Sequence, residues 1–476
     1  MTRIYDGHPA LGAPADERPP VLPACTLVRL IGKPALDWTL DDLMELVPAA
    51  GIRLVSLMHV GGDGWPKTLD FVPRDVTHLR EVLVAGERAD GSSLFGELGI
   101  SVGSSDIVLR PRLSTAFLDP FADQPTLVLL AAPYGRDGSP LAVSPATLVQ
   151  RAYDRLKRET GVDLHALGEV EFFLGRRPEE TDVSAAGDRG YHASSPFVFG
   201  ERMRREALCM LAGIGVPVKY GHAEVGHIQP DEVDARVWEQ HEIELALQPL
   251  PAAADSVILT QWVLRNLAKR HGMRCTFEPI LRKGHAGSGM HFHLSAVVDG
   301  IHAPTTTEGV MTDEARWLIG GLVRLAGASM AFGNRSLNSF LRLSQAKEAP
   351  NNVTWGQFNR KALIRLPIVA TDERGRPVVP ETIEFRLPDG SAHPHLVLAV
   401  VAQAMLAGRD APDLARLVEK TKAGAGAVVE NGFTVPKGFA DVAAALAAER
   451  AALEAGDVFP AAVIDRMIET LKTRRE

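Results

Sequence analysis

"GSGMHFHLSA", residues 287–296, alternates like a strand and sets His291 and His293 two residues apart. Successive side chains in a strand point to opposite faces, so these two imidazoles share one. Working outward, "GEVEFF" (168–173) does the same with two carboxylates, Glu169 and Glu171. Alone, such a pair reads as a solvated sheet face. Here Phe172, Phe173 and Leu174 follow, so the strand runs into a core, where unpaired carboxylates are costly and a counter-charge is expected. "HAEVGHIQPDEV" (222–233) adds Glu224 and Glu232, and "TIEFRLPDG" (382–390) puts Glu384 and Arg386 on one strand face. Five carboxylates with His291 suit two divalent cations, and oxygen-rich ligation with one or two imidazoles fits Mg²⁺ or Mn²⁺ better than zinc.

A cationic group accompanies the acids: Arg342 in "NSFLRL", Arg360 and Arg365 in "NRKALIRLP", and Arg386. Planar arginine forks grip phosphate or carboxylate oxygens in two places and offset charge that spreads during phosphoryl transfer. Acids, metals and arginines together point to ATP chemistry on an anionic substrate. No GxxxxGK[ST] loop or kinase glycine loop occurs, so the nucleotide is held by another scheme.

The chain has 476 residues, which favours two domains. It is 46% hydrophobic and 23% charged with a net charge of −8, which argues against nucleic acid or a membrane surface as partner. Cys25, Cys209 and Cys275 are widely spaced with no CxxC, as expected in a reducing compartment and not in a disulfide scaffold or cysteine–zinc site. No basic-then-apolar leader and no membrane-length apolar run is seen, so a cytoplasmic protein is expected.

Residues 1–24 read as a Pro- and Ala-rich arm, 25–135 as a small α+β domain, and 136–476 as a larger α+β domain. "DWTLDDLMELVPAAG" predicts a helix capped by Thr39 or Asp41 and stopped at Gly51. "PATLVQRAYDRLKRETG" and "DSVILTQWVLRNLAKRHG" have helical periodicity. "RLVSLMHV", "PTLVLLAA", "LGEVEFFLG", "CTFEPIL", "GMHFHLSAV", "KALIRLPIVA" and "ETIEFRL" predict strands, and the chain from about 395 is expected to be helical.

The order "EVEFF", "HAEVGHIQPDE", "GSGMHFH", "NSFLRL…EAP", "NRKALIRLP", "IEFRLPDGSAHPHL" resembles the catalytic signatures of the glutamine synthetase family. "DGSS" (90–93) and "STAFLDPF" (114–121) resemble its N-terminal part. The resemblance spans about residues 30–475. It implies an N-terminal β-grasp domain followed by a catalytic domain whose curved antiparallel sheet, flanked by helices, forms a funnel. It also implies a homo-oligomer, a dodecamer of two hexameric rings with inter-subunit sites, using ATP and two to three Mg²⁺ or Mn²⁺ ions per site.

Carried over by motif, Glu171, Glu224 and Glu232 would bind the ion that orients glutamate. Glu169, His291 and Glu384 would bind the ion among the ATP phosphates. His293 would face those phosphates, Ser295 would lie near the nucleotide, and Arg360 and Arg365 would clamp phosphate. Arg342 and Arg386 would hold glutamate, Gly287 would line its pocket, and Glu348 would sit on a flap over it. Asp90, Ser93 and Tyr191 would bind ammonium, with Asp90 also taking its proton.

Several positions depart from the family pattern: Ala286, Lys219, Leu341, Thr382, and the "HPHL" of His393 and His395. The family includes ligases that join glutamate to organic amines, so Ala286 and the "HPH" segment become candidate specificity determinants. Retention of Asp90, Ser93 and Tyr191 favours ammonia and hence glutamine biosynthesis in nitrogen metabolism. A γ-glutamyl-amine ligase for methylamine or a polyamine is the alternative. A non-catalytic ring-forming homologue would have lost metal ligands that are present here, and a zinc hydrolase is disfavoured because the chain has no HExxH and no third imidazole at suitable spacing.

Overall fold

The computed structural model describes residues 24–180, 182–183, 187–307, 310–345, 349–424 and 434–474. Residues 1–23 of the expected arm, and Glu348, lie outside the described residues.

The first sheet is built from β1 (Leu54–Val60), β2 (Pro66–Phe71), β3 (Glu87–Asp90), β4 (Asp106–Pro111), β5 (Phe117–Leu118) and β6 (Thr126–Tyr134). Its order is β2-β1-β6-β4-β3 with β5 on β6, and the β1–β6 pair is parallel. Helices α1 (Thr26–Ile31), α2 (Leu40–Ala49), α3 (Val76–Ala85) and α4 (Gly91–Phe95) accompany it. Of the two caps considered for α2, Thr39 is the one used: its hydroxyl accepts from Asp42 N while Asp42 accepts from Thr39 N, a capping box that satisfies two orphan donors.

The second sheet has ten strands: β7 (Asp163–Arg176), β8 (Val218–Ile228), β9 (Val237–Leu245), β10 (Gln248–Pro249), β11 (Arg274–Thr276), β12 (Met290–Val298), β13 (Ile301–His302), β16 (Trp355–Gln357), β17 (Ile364–Leu366) and β18 (Ile383–Phe385). The small hairpin of β14 (Thr306–Thr307) and β15 (Val310–Met311) stands apart. The main order is β16-β17-β18-β12-β7-β9-β8. The sheet is mixed, not wholly antiparallel as expected, because β16 pairs β17 in parallel. The long β7 exchanges neighbours along its length: β12 and β10 flank its start, β9 and β11 its end. That exchange turns the sheet into a curved surface.

Helices α5 (Pro145–Thr160), α6 (Glu201–Gly213), α7 (Leu250–Arg270), α8 (Asp313–Gly333), α9 (Leu337–Gln345), α10 (Pro394–Arg409), α11 (Leu414–Lys420), α12 (Phe439–Ala448), α13 (Arg450–Glu454) and α14 (Ala461–Thr473) complete the chain. α10 is buried along nearly its whole length, packed on α8, α5 and α7, while α7 packs on β7. One apolar core runs from Leu27 to Leu471, so the two sheets share an interior. No described helix is long and apolar enough to cross a membrane.

Polar contacts bridge the two sheets. Arg112, just after β4, bonds Asp255 on α7 at 2.7 Å, and Asp255 also meets His395 Nε2 on α10 at 2.9 Å. His393 Nε2 lies 3.2 Å from the carbonyl of Gly61, and Arg335 donates to the Asp63 carbonyl at 3.0 Å. The "HPH" segment is therefore buried at a junction, its two imidazoles engaging Gly61 and Asp255, and not a wall of a substrate pocket.

Candidate active site

Strand pairing assembles the site. Across β18-β12-β7-β9-β8, His293 stands opposite Glu384 and His291 opposite Glu169. Glu169 and Glu171 face Glu244 and Glu242, which in turn face Tyr220 and His222. Because each strand contributes residues two apart, one face of five adjacent strands carries the whole row.

Glycine makes the entry to β12 possible. A Cβ on Gly289 would lie 2.3 Å from His291 Nε2, and one on Gly287 would lie 2.4 Å from the carbonyl of Pro279. With no side chains there, Gly289 N donates to Glu171 Oε2 at 2.7 Å and Gln240 Nε2 donates to the Gly287 carbonyl at 3.0 Å.

His291 Nδ1 lies 2.9 Å from Glu169, 3.7 Å from Glu171 and 3.8 Å from Glu384, and its Nε2 faces Arg342 Nη2 at 3.2 Å. His293 Nε2 meets Glu169 at 2.8 Å, and its Nδ1 meets the Thr382 hydroxyl at 2.8 Å. Glu384, fully buried, bonds Arg386 at 2.6 Å and also Arg365. Lys219 Nζ lies 2.7 Å from Glu244, and His222 Nε2 lies 3.2 Å from Glu242.

Burial alone would push Glu169 up, but His293 and His291 hold its carboxyl well below the usual range. Glu384 is likewise opposed by burial and held down by Arg386 and other cations. Glu242 goes the other way: burial and then the charges of Glu169, Glu171, Glu224 and Glu244 push it well up. That surplus of crowded negative charge is what a site built for added cations shows. Three groups have donor atoms within 4.8 Å of one another: Glu169, His291 and Glu384; His222, Glu224 and Glu242; and Glu169, Glu242 and Glu244. Carboxylate oxygens with one or two imidazoles fit Mg²⁺ or Mn²⁺.

Other expected residues fall elsewhere. Glu232 is exposed in the turn after β8 and belongs to none of these groups among the described residues, whereas Glu242, which the sequence reading did not name, stands in one with His222 and Glu224. The signal for it was "EQHEIEL", with Glu242 and Glu244 two apart like Glu169 and Glu171. Ser295 is buried with its hydroxyl 2.9 Å from His302 Nδ1. Tyr191 is exposed close to Glu224 and hydrogen-bonded to Arg360, and burial nudges its phenol up.

Asp90 ends β3 of the first sheet and caps α4, which carries Ser93. The Ser93 and Ser92 hydroxyls hold the Asp90 carboxyl well below the usual range, with Ser93 Oγ donating at 2.5 Å.

A family model described as glutamine synthetase, catalytic domain, matches residues 142–473. The glutamine synthetase of Thermus thermophilus is 34% identical over 378 residues, covering 78% of this chain and 80% of that protein. That of Methanocaldococcus jannaschii is 29% identical over 384 residues, with coverage of 78% and 80%. Among solved structures, a cryo-EM glutamine synthetase from Plasmodium falciparum superposes with a TM-score of 0.74 at 19% identity, covering 91% of this chain and 95% of that one. Ligand-free GmaS superposes with a TM-score of 0.71 at 20% identity and the same coverage. These two likenesses concern the fold.

Proposed function

The chain belongs to the glutamine synthetase family and is an ATP-dependent ligase of that type; we propose that it joins glutamate to ammonia through γ-glutamyl phosphate. The row of carboxylates and imidazoles across five adjacent strands is the observation that supports this reading.

Glu169, His291 and Glu384 would hold one Mg²⁺ or Mn²⁺, and Glu171 and Glu224 a second, with Glu242 in the place expected for Glu232. Cations held there would offset the repulsion between two anionic substrates and polarise the transferred phosphoryl group. Arg360 and Arg365 would clamp phosphoryl oxygens, with His293 and Ser295 towards the nucleotide and Arg342, Arg386 and Gly287 about glutamate. A glutamate γ-carboxylate oxygen bonds the γ-phosphorus of ATP as the bond to the bridging oxygen breaks, releasing ADP. The amine lone pair then adds to the acyl carbon, the bond to phosphate breaks, and the nitrogen gives up a proton. Water must be kept out, or the acyl phosphate hydrolyses. In this reading Glu348 closes the site. Asp90 and Ser93 reach the nucleophile from an adjacent subunit of a ring dodecamer. The Ser93 bond makes Asp90 a better anchor for an ammonium than a base until that bond is released.

In this proposal residues 25–135 form a β-grasp domain and 136–476 the catalytic domain of a cytoplasmic enzyme. The test is ADP release from ATP and glutamate with Mg²⁺ or Mn²⁺, with and without ammonium or amines. Nucleophile-dependent release is expected; silence with every nucleophile, despite bound ATP, would leave the non-catalytic homologue. A second reading, with an organic amine as nucleophile, is favoured by aromatic rings beside Glu224.

A further inference from the structure

Asn334 and Arg335, adjacent at the end of α8, face two ways. Asn334 Nδ2 donates to the Leu387 carbonyl at 2.9 Å and to Asp389 Oδ2 at 2.8 Å. The Leu387 and Pro388 carbonyls in turn accept from Arg342 Nη1 at 3.2 and 3.4 Å. Ser391 closes this side: its hydroxyl donates to Asp389 at 2.6 Å and accepts the Arg335 N–H at 2.8 Å.

The Arg335 side chain reaches the other way. It is 18% exposed, donates from Nη1 to the Asp63 carbonyl at 3.0 Å, and stands 4.0 Å from Glu97. His393, from the "HPH" segment, meets the Gly61 carbonyl beside it at 3.2 Å. Both therefore grip the glycine-rich turn of residues 61–65 between β1 and β2. A Cβ on Gly64, where φ is 84°, would lie 3.3 Å from His393 Cδ2, so the turn sits hard against that imidazole. Burying a guanidinium chiefly to hold one backbone carbonyl is costly, which points to a role beyond packing.

The turn passes the hold onward. Gly62 N donates to the Leu94 carbonyl at 2.9 Å, and a Cβ on Gly62 would lie 3.3 Å from the Leu98 side chain. Leu94 belongs to α4, whose cap is Asp90; its carboxylate accepts from Ser92 N at 2.9 Å and from the Ser93 hydroxyl. A helix of five residues has too few internal hydrogen bonds to hold its own direction, so whatever braces Leu94 sets where Asp90 and Ser93 point.

We propose that Arg335 and His393 are positioning residues for the nucleophile: by clamping the 61–65 turn to the segment that holds Arg342, they fix the pose of Asp90 and Ser93. This rests on the reading of Asp90 and Ser93 as the contact for ammonium. The experiment measures kcat and KM for ammonium, glutamate and ATP in the full chain, for Arg335→Met, Arg335→Lys and Asp90→Asn. Arg335→Met keeps the length of the side chain and removes its donors. It should raise KM for ammonium about tenfold, roughly what losing one charge-assisted hydrogen bond costs, and leave KM for glutamate and ATP within about twofold. Arg335→Lys, which keeps the charge and a donor, should fall between that variant and the parent.

Equal changes for all three substrates would overturn the proposal, and so would an ammonium KM that stays put in Arg335→Met while Asp90→Asn raises it. Either result leaves the Asp90 reading standing. An ammonium KM unmoved by Asp90→Asn would overturn both. If Arg335→Met shows no thermal unfolding transition, Arg335→Lys decides alone: a raised ammonium KM supports the clamp, and an unchanged one overturns it.

Discussion

Glu242 shows how much one carboxylate can depend on its partners across a sheet. It sits opposite Glu171 on one side and His222 on the other, and its neighbours push its proton affinity well up. Glu242→Gln should weaken Mn²⁺ binding about 10- to 100-fold, the range seen even for residues that only support a ligand, whereas Glu232→Gln should leave it within about twofold. Isothermal titration of both variants decides between them, and equal losses would reinstate Glu232. The residue pairs within one strand, Glu169 with Glu171 and His291 with His293, were legible because parity along a strand is local. Glu242 was not, because the register of β9 against β7 is a relation between segments far apart in sequence. Glu232 was named with Glu224 by motif, and it lies in the exposed turn after β8.

Strand boundaries followed the same division between local and distant causes. β12 and β7 read clearly, but β11 and β17 are shorter than the apolar runs suggested, since Pro279 and Pro367 lie just beyond them and cannot donate to a ladder. β9 did not read as a core strand because five of its nine residues are polar or charged, yet all nine are buried. Within β12, Gly289→Ala should place its methyl against His291, costing about 1–3 kcal/mol and displacing the imidazole. A lower thermal midpoint together with weakened Mn²⁺ binding is the expected result. An unchanged midpoint would mean that the loop before β12 can yield.

At the scale of the whole molecule, the "HPH" segment read from sequence as a substrate feature because it departs from the family pattern. Its actual position depends on the packing of α10 against the first sheet, which no local pattern reports. His393 is fully buried, and burial, then His395 and Arg335, hold its imidazole neutral well below the usual histidine range. The unfolded imidazole takes up a proton below about pH 6.5 and the folded one does not, so the unfolded state binds more protons there. Stability therefore falls as pH drops below that value, by up to about 1.4 kcal/mol per pH unit from this group. His393→Asn should flatten the slope of thermal midpoint against pH in that window, and a superimposable profile would count against the burial argument. The shared face of the five central strands also bears on descent. One residue gained within any of them would rotate its carboxylates or imidazoles out of the row, while the exposed turn at 229–236 can lengthen without changing parity. Lineages carrying this site should therefore differ in the spacing of their signatures at that turn, and hold it constant between Glu169 and Glu171, His291 and His293, and Glu242 and Glu244.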